Sequence, residues 1–215
     1  MIRGLGTLAM VATVATALAA FTMPPSQRAD SLPAPGPAPG IPLSLAEDRA
    51  NRISDVRYNL HFSIPVEESQ RVDGRVVITF VLKDAARPLA LDFEPNKGVR
   101  SVRVDSKTIV PTIVPDHLVI PEEHLQAGRN EITIDFVAGS AALNRQPEFF
   151  YTLFVPARAH LTFPCFDQPD LKARWTLGLD LPATWQAVAN CAETARSEAE
   201  GRLRLSFAET EPLPT

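Results

Sequence analysis

Cysteine is scarce in this sequence, with only Cys165 and Cys191 in 215 residues, so a multi-disulfide framework of the kind that staples small exported domains is excluded. A strong charge of either sign is missing too. The formal balance is −4 and no run of lysine or arginine occurs, which leaves no electrostatic footprint for nucleic acid. Histidine appears four times, at His61, His117, His124 and His160, and no two stand three to five residues apart. Glu122-Glu123-His124 therefore lacks the second histidine that HExxH would place one helical turn away, and no zinc site of that type can be built. There is no GxSxG, and no glycine-rich loop leads into a helix to cradle phosphate. These absences leave no catalytic and no metal-ligating residues to assign.

The N-terminus is better supplied. MIRGLGTLAMVATVATALAA has one early positive charge at Arg3, an uncharged run rich in alanine, valine and leucine, and small residues at Ala17 and Ala19. That is the composition of an export signal, residues 1–19, cleaved before Ala20. An uncleaved membrane anchor is the rival, because the apolar run is close to the roughly 20 residues that span a bilayer. Residues 20–42 follow as a linker in which proline recurs at every second position from Pro33 to Pro39. Proline fixes φ and lacks the amide donor, so this segment is expected to be an extended, solvated spacer.

From residue 43 to 215 the hydrophobic period is two. In DVRYNLHFSI, Val56, Tyr58, Leu60, Phe62 and Ile64 alternate with polar partners, one face dry and the other, with His61, wet. The alternation returns in RVVITFVL, NEITIDF, RWTLGLDL and RLRLSF, with shorter apolar pieces at LALDF, VRSVRV and HLVI. Asp73-Gly74, Asn96-Lys97-Gly98 and Ala127-Gly128 read as turns or caps. PEEHLQAG, with proline first, acids in the first turn and glycine at the end, is the one predicted helix. The expected fold is all-β: an antiparallel, curved β-sandwich, since strands with one dry face need a second sheet to cover it.

FPCFDQPD, Phe163 to Asp170, then raises the question of a nucleophilic thiol. Pro164 and Phe166 flank Cys165, neighbours that would bury the thiol and raise its pKa, whereas a reactive cysteine needs a cationic partner or a helix N-terminus. A buried structural cysteine, a disulfide with Cys191 and a nucleophile are the three readings. Phe163 and Phe166 supply apolar area, Pro164 and Pro169 fix the path, and Asp167 can accept backbone donors in the turn.

Tyr151 to Trp175, YTLFVPARAHLTFPCFDQPDLKARW, resembles the signature segment of the N-terminal domain of the aminopeptidase N family of zinc metallopeptidases. Thr152, Phe154, Pro156, Phe163, Pro164, Cys165, Phe166, Asp167, Pro169, Lys172 and Ala173 fall in the family's order and spacing. DVRYNLHFSIP, DGRVVITF, LALDF and FAETEPLPT extend the likeness over most of residues 43–215. The resemblance implies a non-catalytic β domain whose Phe-Pro-Cys-Phe-Asp segment is structural and packs beside a catalytic domain. The zinc, the HExxH and GxMEN motifs and the hydrolysis belong to that catalytic domain. The sequence ends at Thr215, where the family goes on, so the catalytic domain is expected to be missing or separately encoded, as a partner, and the chain alone to be inactive.

The family also uses this region to hold the substrate's free amino group, through a glutamine after the threonine and a glutamate or glutamine two further on. Leu153 and Val155 stand at those places. Thr152, Leu153, Phe154 and Val155 thus become a candidate lining of the substrate cleft, unless Leu153 and Val155 are simply one apolar face of a strand. Three functions are in view: the N-terminal module of an exported, periplasmic or secreted zinc aminopeptidase, touching peptide substrates indirectly; a free-standing secreted β-sandwich that binds a protein or glycan; and a small hydrolase using Cys165. Membrane association enters only with an uncleaved signal.

Overall fold

The computed structural model describes residues 36–146 and 149–215, so the predicted signal peptide and most of the 20–42 linker lie outside the described residues. Among these described residues one α-helix, α1 (Leu43–Arg52), precedes thirteen strands: β1 (Ile53–Ser63), β2 (Asp73–Leu82), β3 (Leu89–Asp92), β4 (Val99–Val104), β5 (Lys107–Ile109), β6 (Thr112–Val114), β7 (His117–Ile120), β8 (Gly128–Val137), β9 (Leu143–Arg145), β10 (Phe150–Thr152), β11 (Ala173–Pro182), β12 (Glu193–Ala199) and β13 (Arg202–Phe207). The fold is mostly β-sheet, consistent with the expected sandwich. Eight strands form one sheet in the order β12-β13-β11-β1-β2-β8-β4-β5; β3-β7-β6 form a second, and β9 and β10 a hairpin.

Period-two patterning sets the inner face of the large sheet. Val56, Tyr58, Leu60 and Phe62 of β1, Val76, Ile78, Phe80 and Leu82 of β2, and Ile132, Ile134 and Phe136 of β8 are all buried. Leu89 and Leu91 of β3 and Leu118 and Ile120 of β7 bury against the same core. Edge-to-face rings tie the layers: Phe93 meets Phe136, and Phe166 meets Phe80, each pair 5.7 Å apart.

Four expectations need correction. The sheet is not wholly antiparallel, because β1 and β11 run parallel, with Val56 opposite Ala173 through Ser63 opposite Asp180. A parallel neighbour needs a long crossover, and β2 to β10 supply it. Asp73-Gly74 is no turn: both residues lie inside β2, and Gly74 passes so close under the Phe136 ring that a Cβ would collide with it. The helix expected at 121–128 shrinks to a single 3-10 turn, Glu122–His124. Finally, α1 was not anticipated, and its buried residues are two arginines, Arg49 and Arg52.

β11 departs from its pattern in a way that matters for function. Trp175, Leu177 and Leu179 were expected on a dry face, yet they are only half-buried. Among the described residues the three-stranded sheet covers β2 and β8, and nothing equivalent covers the β11 end. The linker's described part, residues 36–42, has neither helix nor strand and is fastened to the domain: the Gly40 amide donates to Asp116 and the Ala38 carbonyl meets His117.

Candidate functional site

Two constructions converge on Phe163–Gln168. The first is a buried polar centre beneath it. Asp92, at the end of β3, exchanges backbone hydrogen bonds with Cys165 in both directions, 2.7 and 3.1 Å, which splices the signature onto the small sheet. Its carboxylate accepts from Arg49 at both oxygens (2.8 and 2.6 Å), from His117 Nδ1 (3.0 Å) and from the Asp167 amide (2.8 Å). Four donors fill the acceptor capacity of a carboxylate. Arg49 also donates to the Ala90 carbonyl and lies over the Phe166 ring, 5.4 Å from its centre. Burial opposes ionisation of Asp92, but the His117 bond, the Arg49 charge and bonds and the Asp167 amide outweigh it, so its carboxyl stays below the usual range.

Asp167 repeats the pattern on a smaller scale. Its Oδ2 accepts both the amide and Nδ1 of His160, at 3.0 and 2.6 Å. The sequence left open whether His160 reaches this loop. It reaches Asp167, and the hydrogen bond to that carboxylate lifts the imidazole pKa above its ordinary value. Tyr58 adds its hydroxyl as acceptor for the Phe166 amide.

This arrangement bears on stability. A raised histidine pKa contributes stability fully present below the unfolded value of about 6.5 and lost as pH rises through the folded value. The depressed Asp92 contributes above about 3.9 and is lost as pH falls through its folded value. Urea midpoints should therefore be higher near pH 6 than near pH 9, and His160→Gln should flatten part of that difference; a midpoint unchanged between the two pH values counts against the His160–Asp167 pair.

Cys165 is fully buried and both cysteines are free thiols. Burial, with Asp167 and Asp92 nearby, pushes the Cys165 thiol well above its ordinary pKa. His160 spends its Nδ1 on Asp167. Phe163, Pro164, Phe166 and Asp167 are buried with Cys165, while Pro169 and Lys172 are exposed.

The second construction is the uncovered end of the large sheet. A hollow of about 1000 Å³ is lined by Leu60, Phe62, Trp175, Leu177 and Leu179 on its floor and by Phe149–Val155 and Trp185–Cys191 on its walls. Tyr58 and Trp175 stack with centres 4.1 Å apart, and Phe163 sets its edge on Trp175 at 5.9 Å and on Phe154 at 5.3 Å. Thr152 ends β10, so Leu153 and Val155 are not a strand face; they lie past the strand, 55% and 56% exposed. Phe154 points inward between them. With Phe149 and Tyr151 also about half exposed, the segment offers an apolar ledge beside the hollow.

Sequence reasoning did not find Arg49, Asp92 or Tyr58 as partners of the signature, nor His117. One signal was available: an aspartate inside the apolar run LALDF, where an unpaired charge would be costly. Among the described residues no three His, Cys, Asp or Glu side chains gather to hold a metal, so the zinc implied by the resemblance has no donor set here.

Among the described residues, a large sheet, half capped by a smaller one and half left as an open apolar hollow, defines a β module with one uncovered face. The chain belongs to the Peptidase M1 N-terminal domain family, whose profile matches residues 54–215. It is 31% identical over 132 residues to the probable M1 family aminopeptidase 1 of Encephalitozoon cuniculi, a match taking in 58% of this chain and 12% of that relative. The M1 zinc metallopeptidase of Deinococcus radiodurans shares the fold at a TM-score of 0.64 and 19% identity, over 76% of this chain and 40% of that one. Aminopeptidase A of Legionella pneumophila, solved in complex with aspartic acid, does so at 0.67 and 14%, over 76% and 20%.

Proposed function

We propose that residues 43–215 are the N-terminal domain of an exported zinc aminopeptidase, which removes N-terminal residues from peptides with a catalytic domain that these 215 residues do not contain. Residues 1–19 are its signal peptide and 20–42 its linker, placing it in the periplasm or outside the cell. The observation that carries the reading is the apolar ledge Phe149–Val155 beside an open hollow, in a chain matched by the M1 N-terminal family over 54–215. Apolar surface of that extent is costly to leave in water and is suited to another domain's face. Thr152, Leu153, Phe154 and Val155 would edge the substrate cleft. Neither Leu153 nor Val155 can accept from an ammonium, so the peptide's amino end would be held by the catalytic domain alone.

Immunocapture of the chain from fractionated source cells tests this. The expected product comes from the exported fraction, begins at Ala20 and hydrolyses aminoacyl anilides until a chelator is added; the purified 215-residue chain gives no turnover. Captured material that is exported but inactive, with no peptidase attached, would replace this reading with a free-standing module binding a protein or glycan. Chelator-sensitive turnover by the chain alone would overturn it outright.

A further inference from the structure

We propose that His117 is a proton-operated latch that fastens residues 36–42 to the domain, docking them when its ring carries two protons and releasing them when it carries one. The geometry is the argument. His117 Nδ1 lies 3.0 Å from Asp92 Oδ1 and Nε2 lies 3.1 Å from the Ala38 carbonyl oxygen. Both partners only accept: Asp92 already takes Arg49 and the Asp167 amide, and a backbone carbonyl has no proton to give. A neutral imidazole has one N–H, so it satisfies one of the two and sets a lone pair against the other. The contact with Asp92 is buried and charge-assisted, so the single proton stays there and the Ala38 contact is the one given up.

The charges facing His117 come from several elements. Asp92 of β3 favours its cation and Arg49 of α1 opposes it. Asp116, its neighbour in the chain, holds the Gly40 amide at 3.0 Å. Asp167 and His160 reach it only through Asp92, while the Tyr58 and Cys165 groups behind stay neutral. Burial disfavours the His117 cation, yet the bonds to Asp92 and Ala38 prevail and its pKa lies above the ordinary histidine value. By linkage, docking raises that pKa, and rising pH undocks the segment. Besides His117, the described residues hold it through the Gly40 amide on Asp116, through Gly36 against Val114 and, where α1 begins, through the Pro42 carbonyl, which accepts the Leu45 and Ala46 amides. Release frees residues 36–41, up to the Pro42 that caps α1, adding up to about 22 Å of extended chain to whatever precedes them. The device thus sets the reach of the N-terminal tether by pH.

The test is amide exchange at Gly40 in the full chain, followed by NMR from pH 5.5 to 9 alongside the ring nitrogens of His117. After correction for intrinsic base catalysis, Gly40 protection should fall as the Nε2 proton is lost, by about tenfold for each pKa unit that docking adds to His117. In His117→Gln, protection should be low and independent of pH. Should that variant fold poorly, the wild-type titration decides alone. Constant Gly40 protection while His117 titrates overturns the latch, and so does a His117 ring that holds one protonation state across the whole range.

Discussion

Asp92→Ala should lower stability by about 3–5 kcal/mol, the cost of stripping one partner from a buried ion pair. On a domain of this size that is about 6–20 °C in Tm. The side chains of Arg49 and Asp92 are 0% and 2% exposed, so water cannot replace what is removed. The substitution leaves the Arg49 guanidinium, the His117 ring and the Asp167 amide without their acceptor at once. Asp92→Asn should lie between, because it keeps the shape but turns donors toward donors. Adding Arg49→Met to Asp92→Ala should recover part of the loss, since the uncompensated charge goes with it. Urea unfolding of the three variants measures this. A loss under about 1 kcal/mol for Asp92→Ala would mean that the centre is wet enough to tolerate a lone charge.

That centre explains where sequence reading succeeds and fails. β1, β2 and β8 were legible because each buries one side of a strand against apolar neighbours, which writes the period directly into Val56-Tyr58-Leu60-Phe62 and its counterparts. α1 was illegible for the opposite reason. Its inward residues are Arg49 and Arg52, whose charges are met by Asp92, by Asp48 and by the carbonyls of Asp84, Arg87, Pro88 and Ala90, and of these only Asp48, one turn before Arg52 on the same helix, lies within reach of a local pattern. β12 carries no period at all, since every one of its residues is exposed on the sheet edge. The signature shows both limits together. Its apolar residues announced a buried loop, but that Asp92, 73 residues before Cys165, splices it to β3 depends on topology. The β11 leucines misled because the pattern records which face could be dry, and not whether something in the described chain covers it.

Phe166→Ala is expected to cost about 3–5 kcal/mol, more than Phe163→Ala, although the two sit three residues apart in one motif. Phe166 is 0% exposed and has the core on every side: Phe80 edge-on at 5.7 Å, Arg49 over its face at 5.4 Å, and Tyr58 and Thr215 bonded to its backbone. Truncation there leaves a cavity with no route for relaxation and takes away the ring that shields Arg49. Phe163 instead faces Phe62, Phe154 and Trp175 at the floor of the open hollow, where neighbours can shift inward and the lost contacts are partly with half-buried side chains. The ring over Arg49 supplies a second readout. Because Phe166 and Asp92 both touch Arg49, their losses should not add, and a cycle of Phe166→Ala, Asp92→Ala and the double variant should show a coupling of about 0.5–3 kcal/mol. Additive losses would mean that Phe166 acts through its volume alone. Equal costs at 163 and 166 would mean that the hollow is closed in solution, with its floor as tightly packed as the core.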